Sequence, residues 1–96
     1  MSDPRYNKLA KLLVEYSCGL KRGESVFIDV SDIPDQMTIA LIRAARKAGA
    51  VPLVETRQSR VVRELVKETN DAHAKMTRDV ELYRMRKVQA YIAIRG

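Results

Sequence analysis

Val88-Gln89-Ala90-Tyr91-Ile92-Ala93-Ile94-Arg95-Gly96 closes the sequence and decides how the rest is read. Successive side chains of an extended chain point to opposite sides, so Tyr-Ile-Ala-Ile is apolar on both faces. Such a strand belongs in a sheet covered on both sides, with neighbours on both edges. The chain stops as the strand ends. The expectation is a piece of a larger protein, cut after a sheet strand.

Working back from that strand, Ala72, Met76, Val80 and Tyr83 recur at helical spacing. Arg84, Arg86 and Lys87 fall near the end of this helix, where cations suit the macrodipole. Asn70-Asp71 interrupts the pattern. Before it, Ser59 is placed to cap a helix bearing Val61, Val62, Leu65 and Val66. Val51-Pro52-Leu53-Val54-Glu55 reads as a strand, and its proline points to a sheet edge.

Met37, Ala40, Leu41, Ala44, Ala45 and Ala48 keep strict helical register, and the alanines let that helix lie close to a sheet. Asp35 is a cap candidate for it, and Asp32 another; Gly49 closes it. Ser25-Val26-Phe27-Ile28-Asp29-Val30 is a near-continuous apolar strand that predicts cover on both faces. At the start, Asp3-Pro4 pairs an N-cap acceptor with proline at the first helical position. Tyr6, Leu9, Leu12, Leu13 and Tyr16 form the apolar stripe of this opening helix, which Cys18-Gly19 ends.

The order is α-β-α-β-α-α-β. Strands separated by helices call for right-handed crossovers and a parallel sheet. The fold class is therefore α/β, a three-layer, doubly wound unit with about three parallel strands between helices. With 96 residues, it is a single domain over 1–96. One cysteine, Cys18, excludes an internal disulfide. No apolar run approaches the ~20 residues of a membrane span. Met1-Ser2-Asp3-Pro4 has no signal pattern, so a cytoplasmic setting without membrane contact is expected. The net charge of +6 permits nucleic-acid binding. No aromatics interleave with Lys and Arg, and no nucleic-acid motif is present, so a solvated basic surface, or one facing an acidic partner, is the better reading.

In open α/β sheets, ligands bind beyond the carboxyl ends of the strands. Those ends hold Asp29, Ser31 and Asp32, then Glu55 and Arg57, then Arg95, the candidates for a substrate groove. No catalytic residue and no metal ligand is assigned. Gly19-Leu20-Lys21-Arg22-Gly23-Glu24 precedes a strand and is no dinucleotide fingerprint. His73 is the only histidine, on a polar helix face. Cys18 lies at a helix C-terminus, where the dipole disfavours a thiolate.

Four segments in order resemble a known family. Asp3–Ser17 is similar to the opening helix of the metal-dependent aminopeptidases that include aminopeptidase T, aminopeptidase S and the thermophilic leucyl aminopeptidases. Lys21-Arg22-Gly23-Glu24-Ser25-Val26 resembles their Gly-Glu-x-Val turn into the first strand. Arg46-Lys47-Ala48-Gly49-Ala50-Val51-Pro52 resembles their Ala-Gly-Ala-x-Pro approach to the second. Ala90–Gly96 resembles a recurrent Ala-Tyr-Ile-x-Ile-Arg-Gly strand.

The resemblance implies the N-terminal part of a two-domain hydrolase that removes N-terminal residues from peptides. Its metallopeptidase chemistry uses paired divalent metals (zinc, cobalt or magnesium) held in a C-terminal catalytic domain. No cofactor is expected in this chain, and no catalytic residue carries over to it. The implied partners are that C-terminal domain, a peptide substrate in the parent protein, and further copies in a homo-oligomer. The basic Arg84, Arg86 and Lys87 depart from the family, which is more acidic there. A ring-cleaving dioxygenase of hydroxypyridine breakdown shares the family's architecture, and a free-standing α/β binding or self-association module is a further reading. In each, the far edge beside Tyr91 and Ile92 is exposed or covered by another chain.

Overall fold

The protein is described by a computed structural model covering residues 3–96. Its elements follow the predicted order: α1 (Pro4–Leu12) with a π-helical turn (Leu13–Ser17), β1 (Ser25–Ser31), α2 (Asp35–Lys47), β2 (Val51–Arg57), α3 (Ser59–Val66), α4 (Asp71–Lys87) and β3 (Ala90–Arg95). The three strands form one parallel sheet in the order β2-β1-β3. No helix among the described residues is long and apolar enough to cross a membrane.

The strand order leaves the far edge of Val88–Gly96 open, as expected, so in this chain the strand has one neighbour and not the two that its composition asks for. The strand with two neighbours is β1, and β3 is an edge. The first crossover runs from β1 to β2 and the second passes from β2 across to β3, so the most apolar strand takes the middle: Val26, Phe27, Ile28 and Val30 are all buried. In β3, Ile92 is buried in the core, whereas Tyr91 on the opposite face is 43% exposed. Pro52 lies on the other edge strand, where its missing N–H costs no ladder bond.

Val26, Ile28, Val30 and Ile92 point to the side covered by α1 and α2. There they form one cluster with Ala10, Val14, Met37, Ala40, Leu41 and Ala45. The predicted stripe of α2 is this buried face. Gly49 ends the helix with φ +80°, and a Cβ there would run into the Arg22 side chain.

In α1 the cap is as expected: Asp3 accepts from the Arg5 N–H at 2.9 Å, and Pro4 is the first helical residue. The buried stripe is rotated from the predicted one. Ala10 and Val14 are fully buried and Tyr6 and Leu13 pack beside them, whereas Leu9, Leu12 and Tyr16 are exposed. Small side chains let the helix approach the alanine-rich face of α2, and the longer leucines are left outside. The last turn widens, with the Cys18 N–H donating to the Leu13 carbonyl at 2.9 Å.

Two caps are also redistributed. Asp35 is the first helical residue of α2 and makes no side-chain cap bond; Pro34 precedes it. Asp32 instead serves α3, its carboxylate accepting from the Ser59 N–H at 3.0 Å. Ser59 is thus the first residue of α3, not its cap, which is Gln58. The break at Asn70 holds: its side chain caps α4 by accepting from the His73 N–H at 2.8 Å.

The expected apolar stripes of α3 and α4 contain no buried residue. Val61, Leu65, Met76, Val80 and Tyr83 are all exposed. Of this second layer, α4 reaches the sheet near its last turns, where the Arg84 guanidinium lies 4.4 Å from the centre of the Phe27 ring.

Candidate functional site

Alternation along the strands and parallel register together build the face opposite the core. Phe27 pairs with Leu53 and Tyr91, Asp29 with Glu55 and Ala93, and Ser31 with Arg57 and Arg95. Going up the sheet towards the carboxyl ends, the rows are apolar, then acidic, then basic. A one-residue slip of either flanking strand would scramble all three rows.

The acidic row is neutralised by its neighbours. Arg57 reaches back to Asp29 (Nε–Oδ1 3.0 Å) and to Glu55 (Nη2–Oε2 3.1 Å). Arg84 of α4 meets the same Glu55 oxygen at 2.9 Å. The Tyr91 hydroxyl donates to Asp29 Oδ2 at 2.9 Å, and its ring packs edge-on against Phe27 with centroids 5.4 Å apart. Burial first, and the bond to Asp29 second, raise the Tyr91 pKa above the ordinary tyrosine value. The network holds the sheet face, and its carboxylates are engaged.

Above it, a cleft of about 540 Å³ opens beyond the strand ends. Asp29, Ser31, Asp32, Arg57 and Arg95 all line it, so five of the six predicted groove residues come together. Glu55 does not; it sits in the ion-pair network and faces a neighbouring groove along α3. The cleft lies between β1 and β3. The crossover from β1 runs to one neighbour and the chain returns to the other, making this the switch point of the sheet.

Sequence reasoning missed the contribution of α3, which supplies Ser59, Val62 and Arg63 to the wall. The available signal was spacing: Arg63 follows Ser59 by four residues and shares its helix face. The floor is closed where the Gly96 N–H donates to the Ser31 carbonyl at 2.8 Å. A Cβ at Gly96 would collide with the Asp32 backbone carbonyl. Asp32 itself has φ +55°, a left-handed conformation that aspartate tolerates better than most residues. That turn aims its carboxylate at Ser59, which lowers its pKa through hydroxyl and backbone hydrogen bonds.

Among the described residues, no three of His, Cys, Asp and Glu are placed to hold a metal ion. The acids of the site are committed to Arg57, Arg84, Tyr91 and Ser59. Cys18 is half-buried at the far end of α1, where burial pushes its thiol pKa up and away from nucleophilic character. No family model and no curated protein matches the chain.

Proposed function

We propose that the chain is the non-catalytic N-terminal α/β domain of a cytoplasmic metal-dependent aminopeptidase, and that its strand-end cleft forms part of the peptide groove. The four ordered segments motivate the family. The observation that carries the domain role is the bare second layer. α3 bears Val61, Val62, Leu65 and Val66 on one side, yet buries none of them. Large exposed apolar patches mark surfaces that meet another protein. In this reading a catalytic domain covers α3 and α4.

The paired metals of such an enzyme do not fit the residues of this sheet face, where Asp29 and Glu55 are already bound to arginines and the Tyr91 hydroxyl. No step of peptide hydrolysis runs through them here. The part of this domain is to hold and orient. Its rigid parallel sheet fixes Arg57, Ser31 and Arg95 in one row.

The test is to read the encoding frame beyond residue 96. Glu and His in metal-ligand spacing within about 300 further residues, the size of one or two domains, support the proposal. A frame that closes at Gly96, or continues without such ligands, overturns it.

A second reading, a self-association module, is favoured by the open edge of β3, whose outward N–H and C=O groups offer a template for another strand. Sedimentation separates the two. A stable oligomer of fixed size supports the module, and heterogeneous aggregation supports a domain lacking its partner.

A further inference from the structure

Three arginines, Arg57, Arg63 and Arg95, line the cleft at the strand ends, and only one of them is matched. Arg57 is held by Asp29 and Glu55. Among the described residues neither Arg63 nor Arg95 has a carboxylate within ion-pair distance. The remaining acid of the cleft, Asp32, is turned to the backbone of Ser59. Two unmatched guanidinium groups, from α3 and from β3, thus share one concavity with the Ser31 side chain.

We propose that this cleft binds the free carboxylate of a short peptide through Arg63 and Arg95. The inference rests on the peptidase reading and deepens it: the domain recognises the carboxyl end of the substrate, and short peptides are the preferred class. A guanidinium offers a planar fork of N–H donors that matches a carboxylate in two parallel bonds. Val62, Ala93 and the Tyr91 ring add apolar wall beside the charges. The volume is in the range of organic-ligand sites, roughly 300–1,000 Å³, which suits a peptide end better than a small inorganic ion. An ammonium group would meet the reverse of what it needs, because the carboxylates of the site are already engaged.

Titration of the ¹⁵N-labelled 96-residue chain with leucyl-leucine, leucyl-leucinamide and inorganic phosphate tests this by amide chemical shifts. The expected result is saturable shifts at Ser31, Asp32, Arg95 and Gly96 with the free acid, and none with the amide. The double variant Arg63→Gln/Arg95→Gln should keep a dispersed spectrum, because both side chains are exposed, and bind at least about tenfold more weakly, the factor that 1.4 kcal/mol of lost contact gives. Equal shifts with the amide, unchanged binding by the double variant, or phosphate binding as tight as the dipeptide would each overturn the proposal. The metal-ligand test of the downstream frame is independent, so a failed titration would leave the peptidase reading standing.

Discussion

On one face of the sheet, Val26, Ile28 and Val30 meet Ala10, Val14, Leu41 and Ala45 in a sealed apolar core. On the other, Phe27 and Asp29 of the same strand meet Tyr91, Arg57 and Arg84 in a network of ions and rings. The first face can be held by burial alone, which is non-directional and tolerates a helix that rotates, as α1 does. The second depends on register, because its bonds form only when Asp29 stands between Tyr91 and Arg57. The difference shows where stability and specificity are separated in this fold. One side supplies the burial, and the other keeps polar groups at the strand ends available for binding.

The largest break in this contrast should come from Leu41→Ala. Leu41 has no solvent exposure and lies at the centre of the sealed face. Truncating a buried leucine removes its transfer free energy and leaves a cavity, a loss of about 2–5 kcal/mol. Denaturant unfolding should show a lower midpoint with an unchanged slope. A loss below about 1 kcal/mol would mean that the α2 face is less tightly packed than its burial indicates.

A smaller effect is expected on the polar face. Asp29→Asn keeps the shape but removes the charge that Arg57 and Tyr91 share, and should cost about 1–2 kcal/mol. Tyr91 gives the same network a pH signature. Its pKa is raised in the folded state, so its contribution is complete below the unfolded value of 10.0 and is lost as pH rises through the folded value. Stability should therefore fall above about pH 10, and Tyr91→Phe should flatten that fall. Unfolding midpoints measured between pH 8 and 11 check both statements; a Phe variant with the same decline would place its origin elsewhere.

How much of this was legible follows from the kind of signal each part leaves. The apolar run in Val26–Val30 and the alanine register of α2 are local patterns, and they specify strand, helix and buried face directly. Strand order depends on how crossovers pack; the composition of β3 asks for two neighbours, and the far edge expected to lie open or covered by another chain is open here. The rotation of α1 has no local signal. It depends on which of two apolar faces finds the alanines of α2, and the smaller one, with Ala10 and Val14, does. In the cleft, residues on strand ends were readable because topology alone carries them there. Arg63 was not, because its place depends on the angle at which α3 leaves β2. At that junction the Ser59 N–H donates to Asp32, a contact between residues far apart in the sequence.

The smallest effect should mark the bare layer. Val80 is 53% exposed on α4, and serine has nearly the same intrinsic helix propensity as valine. Val80→Ser therefore changes apolar surface with little change in backbone preference. For an uncovered site the loss should stay within about 0.5 kcal/mol, as for surface positions generally. The same substitution reports on cover. If copies of the chain bury this face, the wild-type melting temperature rises with protein concentration and the variant loses that dependence. If a catalytic domain is the natural cover, the isolated chain gains no stability with concentration, and Val80→Ser leaves its melting temperature unchanged until that domain is restored. Melting curves over a hundredfold concentration range, for wild type and variant together, thus decide whether the second layer is completed by this chain's own copies or by another domain.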